Sequence, residues 1–222
     1  MLEHSTPKKG FTLAEVLVTL GIIGVVSAMT IPSLTQNWQK QAYVAQLKKV
    51  YSEISQAVSA AIQDEMAINM GETSYNYNAR NVNGFLHKYF KVVQDCGRNK
   101  QPCFASNYKN IDGSSYRRGF DCTASVSIAS GAAICIDGDG WWPDDEDWHY
   151  SVYAYVDVNG KKGPNIFGRD MFFMEIYGDG TIGDSYQAKN WWGHGYGCVP
   201  SPGIYGNGCI TSILVDGWSM DY

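Results

Sequence analysis

The chain has 222 residues, 45% of them hydrophobic and 14% aromatic, with 15 tyrosines and 7 tryptophans, a composition that excludes an intrinsically disordered protein and supplies ample core material. Its net charge is only -5, and the basic residues form nothing longer than pairs such as Lys48-Lys49, Arg117-Arg118 and Lys161-Lys162, so the electrostatic footprint of a nucleic-acid-binding protein is absent. A chain of this length holds one large or two small domains.

Near the start, Lys8-Lys9-Gly10 precede a run from Phe11 to Ile31 that carries a single charge, Glu15. A helix rising about 1.5 Å per residue needs roughly 20 apolar residues to cross a hydrocarbon core of about 30 Å, so the run is long enough to span a membrane. Lysines ahead of it and a mixed sequence after it place the N-terminus in the cytoplasm and the remainder outside. An ionised carboxylate inside such a helix costs on the order of 2.5 to 3.5 kcal/mol, so Glu15 calls for a positive partner.

The residues that raise this question, Gly10-Phe11-Thr12-Leu13-Ala14-Glu15 after Lys8-Lys9, resemble the class III prepilin leader of type IV pilins and type II secretion pseudopilins. The resemblance implies that prepilin peptidase, a membrane aspartyl enzyme, cuts between Gly10 and Phe11 on the cytoplasmic side and methylates the new amino group of Phe11. It also implies that Glu15 pairs with the N-terminal ammonium of a neighbouring subunit. Opposite charges about 4 Å apart attract by roughly 4 kcal/mol at an effective dielectric of about 20, enough to offset the insertion cost. The expected partners are therefore prepilin peptidase, the bacterial inner membrane, and other copies or related pilins in a helical filament that is periplasmic or on the cell surface; no nucleic acid is expected. Two other readings stand beside this one. A secretory signal peptide would use Lys8-Lys9 as its positive region, Phe11 to Val26 as its apolar region and Val26-Ser27-Ala28 as its cleavage site. Against it stand Glu15 within the apolar run and a helical pattern that continues past the cut. A plain N-terminal anchor on an unrelated exported domain leaves Gly10 and Glu15 without purpose.

Past the apolar run, Val44, Leu47, Tyr51, Ile54, Val58 and Ala61 recur in steps of three and four, a helical stripe expected to pack on a sheet. Gln46, Lys48, Lys49, Ser52, Glu53, Gln56 and Gln63 lie between them and face solvent or neighbouring subunits. The spacing predicts one helix from about Phe11 to about Ile68, stopped near Gly71. Gly21, Gly24 and Pro32 interrupt it, at about 1 kcal/mol for each glycine and about 3 kcal/mol for the proline, so the stretch between Gly24 and Pro32 is soft. Gly24 and Pro32 resemble the pair that brackets a segment unwound within type IV pilin filaments; a simple kink is the other reading. The expected organisation is a leader peptide at 1-10, a transmembrane and assembly helix at 11-32, an amphipathic extension at 33-70 and a β-rich globular head at 71-222.

All six cysteines, Cys96, Cys103, Cys122, Cys135, Cys198 and Cys209, fall in the head, as suits an oxidising compartment. Six cysteines allow fifteen pairings; the spacing suggests three local loops, Cys96 to Cys103, Cys122 to Cys135 and Cys198 to Cys209, each contributing roughly 2 to 3 kcal/mol in the chain-entropy model. Zinc ligation would need paired CxxC-type spacing, which is missing. Strands are expected at Ser125 to Ile136, Ser151 to Val158, Met171 to Tyr177 and Ile210 to Val215, and a short helix at Asn83 to Val93. Turn signals follow at Asp157-Val158-Asn159-Gly160 and Tyr177-Gly178-Asp179-Gly180, the second leading into a return arm at Gly180-Thr181-Ile182. The segment Tyr155-Val156-Asp157-Val158-Asn159-Gly160-Lys161-Lys162-Gly163-Pro164-Asn165, then Gly168-Arg169-Asp170 and Phe172, resembles a head motif of bacterial pseudopilin-like proteins. What this implies is a pilin-like α+β fold, a long N-terminal helix packed on an antiparallel sheet, with disulfide-stapled loops.

Asp137-Gly138-Asp139-Gly140 followed by Asp144, Asp145, Glu146 and Asp147 is an oxygen-rich stretch of the kind calcium favours, with Asp137, Asp139 and Asp144 as candidate ligands. It fails the EF-hand register, and a solvated acidic loop is the alternative; no other cofactor is expected. The histidines, His4, His87, His149 and His194, sit in no nucleophile motif, and Gly193-His194-Gly195-Tyr196-Gly197 lacks the strand and the Lys-Ser/Thr helix start of a phosphate cradle, so no enzymatic activity is expected. Trp141-Trp142, Trp148, Trp191-Trp192 and Tyr196 either form an adhesive surface or cap small cores under the disulfide loops. The function expected is a structural subunit, pilin or pseudopilin, of a type IV pilus or type II secretion filament. The alternative is a membrane-tethered exported adhesin or carbohydrate-binding module that does not polymerise.

Overall fold

A computed structural model of the chain describes residues 10-75, 81-116, 119-137, 152-184, 198 and 208-222, and divides into two compact units, Met1–Lys40 and Gln41–Tyr222. Helix α1 covers Leu13–Asp64. It starts two residues later than expected because Thr12 caps it: the Thr12 hydroxyl oxygen accepts the Glu15 N–H at 3.2 Å while the Glu15 carboxylate accepts the Thr12 N–H at 2.8 Å, a capping box. The helix also stops before the expected Gly71. Met66 takes the left-handed conformation usually left to glycine, with φ 51°, and the Ala67 N–H reaches back to the Ile62 carbonyl at 3.0 Å, closing the last turn. Gly71 instead lies in a 3-10 turn, Met70–Glu72. Gly24 and Pro32 both lie inside α1, which is helical through them.

In the second unit α1 buries Val44, Leu47, Val50, Ile54, Ala57, Val58 and Ala61. Val50 and Ala57 complete the stripe, whereas Tyr51 sits half-buried at its margin, meeting Trp218 edge-on at 5.3 Å and donating its hydroxyl to the Ile182 carbonyl at 3.3 Å. Each buried Val, Leu or Ile removes apolar surface worth about 1.5 to 3 kcal/mol, so this stripe is what seats the helix.

The sheet is antiparallel, with its six strands in chain order: β1 (Val92–Gly97), β2 (Ala124–Ile128), β3 (Ala133–Asp137), β4 (Val152–Asp157), β5 (Met171–Ile176) and β6 (Ile182–Gly183). The side-chain alternation of strands sends Ile134, Ile136, Ala154, Val156, Phe172 and Met174 to the face shared with α1, and Ala133, Cys135, Tyr155, Met171 and Phe173 to the other. Both faces are covered. Helix α2 (Val82–Tyr89) contributes Phe85 and Leu86 to the α1 side, while Phe104, Tyr108 and Phe120 close a second core on the opposite side. The fold is thus α+β and pilin-like, a long N-terminal helix with an antiparallel sheet and three disulfides.

Three local expectations are corrected. The strand expected over Ser125 to Ile136 is the hairpin β2–β3, because Gly131, at φ 95°, donates back to Ile128 at 2.9 Å and reverses the chain. The helix expected over Asn83 to Val93 ends at Tyr89, and its last residues belong to β1, which pairs with β2. The strand expected over Ile210 to Val215 is helix α3 (Cys209–Val215). Its Ile210 and Ile213, three apart, are buried, and the buried Asp184 accepts the N–H groups of Ile210 and Thr211 at 2.8 and 3.1 Å as well as the Thr211 hydroxyl. Leu47→Ala should therefore lower stability by about 2 to 5 kcal/mol, whereas the exposed Gln46→Ala should stay within about 0.5 kcal/mol, both read by thermal or denaturant unfolding.

Candidate assembly and processing site

Within the first unit, every large apolar side chain from Phe11 to Leu34 is exposed, Phe11 by 90%. This part of α1 contains an 18-residue window of mean hydropathy 2.0 with none of it buried, so it is long and apolar enough to cross a membrane and is a candidate anchor. The one acid within it, Glu15, accepts both the Thr12 N–H and the Thr12 hydroxyl, at 2.8 and 2.9 Å. The structure thus joins Glu15 to the residue next to Phe11, at the very end of the helix. A Cβ placed on Gly10 meets nothing within 4 Å. Glycine there answers no packing need of the fold, and the same is true of Gly24.

Residues 6–31 match the family model described as the prokaryotic N-terminal methylation motif. The chain carries a prepilin-type leader. This supports a type IV pilin-like protein. No curated protein and no solved structure matches the chain.

In the second unit the cysteines are joined Cys96 to Cys103, Cys122 to Cys135 and Cys198 to Cys209. The first two bridges lie in the second core beneath Phe104 and Phe120; the third ties α3 to the core on the α1 side. Of the candidate calcium ligands, Asp137 ends β3, while Asp139 and Asp144 lie outside the described residues, as do Trp141, Trp142, Trp148, Trp191, Trp192 and Tyr196. Among the described residues no three His, Cys, Asp or Glu side chains gather as a metal site. His87, the one described histidine, pairs with Asp95 at 2.9 Å on the surface.

Two carboxylates of the head motif, Asp157 and Asp170, are also buried. The Asp157 and Asp170 carboxylates flank the connection from β4 to β5, both fully buried. The Tyr108 hydroxyl donates to Asp157 Oδ2 at 2.6 Å, and Asp170 accepts the N–H groups of Asn165 and Ile166, each at 2.7 Å. Burial pushes the Asp157 carboxyl up to about 8, with the nearby Asp170 charge adding to it, and burial raises Asp170 and the Tyr108 hydroxyl too. In the sequence Asp157 stands in an Asp-x-Asn-Gly turn and both aspartates in the head motif, but neither signal says that the two carboxylates are buried.

Because Gly10 has free space around it, Gly10→Val should leave the melting of the head unchanged while an immunoblot of the membrane fraction shows the uncut precursor accumulating. Normal processing of that variant would contradict the assignment.

Proposed function

We propose that the chain is a filament subunit, a pilin or pseudopilin of a type IV pilus or type II secretion machine. Residues 1-10 are the leader removed by prepilin peptidase, 11-32 the membrane and assembly helix, 33-70 its amphipathic extension and 71-222 the exported head. The observation that carries this reading is the junction of three features in one short stretch: the methylation motif over residues 6–31, an uncovered apolar helix surface, and a lone carboxylate at its start.

The mechanism is mechanical rather than chemical. Lipid holds the apolar run before assembly, and equivalent runs of neighbouring copies cover it afterwards. Glu15 makes the exchange selective. Among the described residues its carboxylate is met by the two neutral donors of Thr12, and after cleavage the amine of Phe11 in a neighbouring copy supplies a full positive charge. Cutting at Gly10 thus creates the group that the carboxylate needs, which ties polymerisation to processing.

Glu15→Lys replaces the attraction by repulsion between like charges. The variant should still insert in the membrane and present a folded head, yet be missing from fibres sheared off cells or assembled in membranes. Recovery of the variant in fibres at the normal level would refute the pairing and favour a tethered module that never polymerises.

A further inference from the structure

The connection from β4 to β5, residues 158–170, carries three basic residues, Lys161, Lys162 and Arg169, and a single acid, Asp170, which is fully buried. Its exposed charge is therefore all positive. Gly160 sets the two lysines at the tip: with φ 67° it lies so close to the β2–β3 reversal that a Cβ there would stand 3.2 Å from the Gly131 carbonyl oxygen, and Lys161 and Lys162, next in the chain, are exposed. Lys109, also exposed, joins them from the adjoining segment, where its backbone bonds to Asn165 and Phe167 at 2.9 Å each. Among the described residues none of these four cations forms an ion pair. The exposed acids on the flanking segments, Asp112 and Asp221, accept hydrogen bonds from Ser114 and Ser219 and reduce the positive excess without reversing it.

This basic face lies where α1 enters the second unit. The Asp170 and Arg169 charges both act on the Tyr43 hydroxyl, so the connection adjoins the first turns of α1 there, whereas Gly180, in the β5–β6 turn, lies against Val58 and Ile62 close to the end of the helix. Nine residues of α1 separate Tyr43 from Leu34 in the uncovered apolar run, about 14 Å at 1.5 Å per residue. Trp38 stands between them, exposed, and tryptophan favours the boundary of lipid and water. Headgroups extend roughly 5 to 8 Å past the hydrocarbon core, which brings them within about one screening length, 8 to 10 Å, of the connection. At that range each lysine or arginine strengthens attachment to an anionic surface about fivefold. We infer that the β4–β5 connection is a membrane-docking surface on which Lys109, Lys161, Lys162 and Arg169 engage the headgroups of anionic phospholipid while the subunit is held in the bilayer. The inference rests on the reading of residues 11-32 as a membrane helix. Docking holds the head against the bilayer before assembly, and extraction into a filament breaks the contact.

The test uses the full-length protein in lipid nanodiscs at one copy per disc, made of phosphatidylcholine alone or of phosphatidylcholine mixed with phosphatidylglycerol, with the acetylation rate of each lysine read by mass spectrometry. In the mixed discs Lys109, Lys161 and Lys162 should react at least about fivefold more slowly than in the neutral ones, with Lys88, beside Asp64 in the last turn of α1, unchanged. Salt at about 1 M, which shortens the screening length to about 3 Å, should abolish the difference. Lys161→Gln combined with Lys162→Gln should return Lys109 to its neutral-disc rate, and because both side chains are exposed this variant should melt like the wild type in detergent. Equal rates in the two kinds of disc would overturn the docking surface. So would protection that appears only in discs holding two or more copies, since the basic face would then belong to a contact with a second subunit. Failure of the protein to enter discs of either kind would refute the membrane helix itself, and this inference with it.

Discussion

The constraint on which everything else rests is the apolar surface left uncovered along the first part of α1 among the described residues. From Phe11 to Leu34 no large side chain of α1 is shielded, while from Val44 to Ala61 the same helix buries its apolar stripe. Water tolerates neither stretch in isolation, and among the described residues it is the second that finds its partner within the chain. The first is long and apolar enough to cross a membrane, a candidate anchor, and its uncovered surface is far larger than the patches that soluble monomers leave exposed.

The buried half explains the head. α1 covers one face of the sheet, and a second core of Phe104, Tyr108, Phe120, Tyr155 and Phe173 covers the opposite face, so the strands are not left half-solvated. Aromatic rings dominate there, with Phe120 stacked on Tyr155 at 4.8 Å and Phe173 packed edge-on against Tyr153 at 5.2 Å. The segment that supplies Phe104 and Tyr108 has no strand or helix of its own. Disulfides at its two ends, Cys96 to Cys103 and Cys122 to Cys135, hold it in place. Staples of this kind serve where regular hydrogen bonding does not.

What could be read from the sequence was whatever depends on neighbours along the chain. The leader, the apolar run and the stripe on α1 are local patterns, and helical periodicity finds them without knowledge of the fold. Tertiary contacts decided the rest. The run Ile210 to Val215 is rich in β-branched residues and reads as a strand, yet Asp184, distant in sequence, caps its first N–H groups and makes it helix α3. Met66 ends α1 in a conformation that glycine usually takes, so the stop expected at Gly71 comes late. The β2–β3 reversal at Gly131 was hidden in a long apolar stretch whose two halves alternate correctly on their own. Asp157 and Asp170 were visible as residues but not as a pair, because only the pairing of β4 with β5 brings them together.

Whether the exposed helix serves a filament depends on how the chain begins in the cell. The decisive measurement is the intact mass, with N-terminal fragmentation, of the protein recovered from membranes that contain prepilin peptidase. The account predicts a chain starting at Phe11 with one methyl group on its amine. A chain starting at Met29, as a signal peptidase would leave it, or one still carrying Met1 to Gly10, would contradict it.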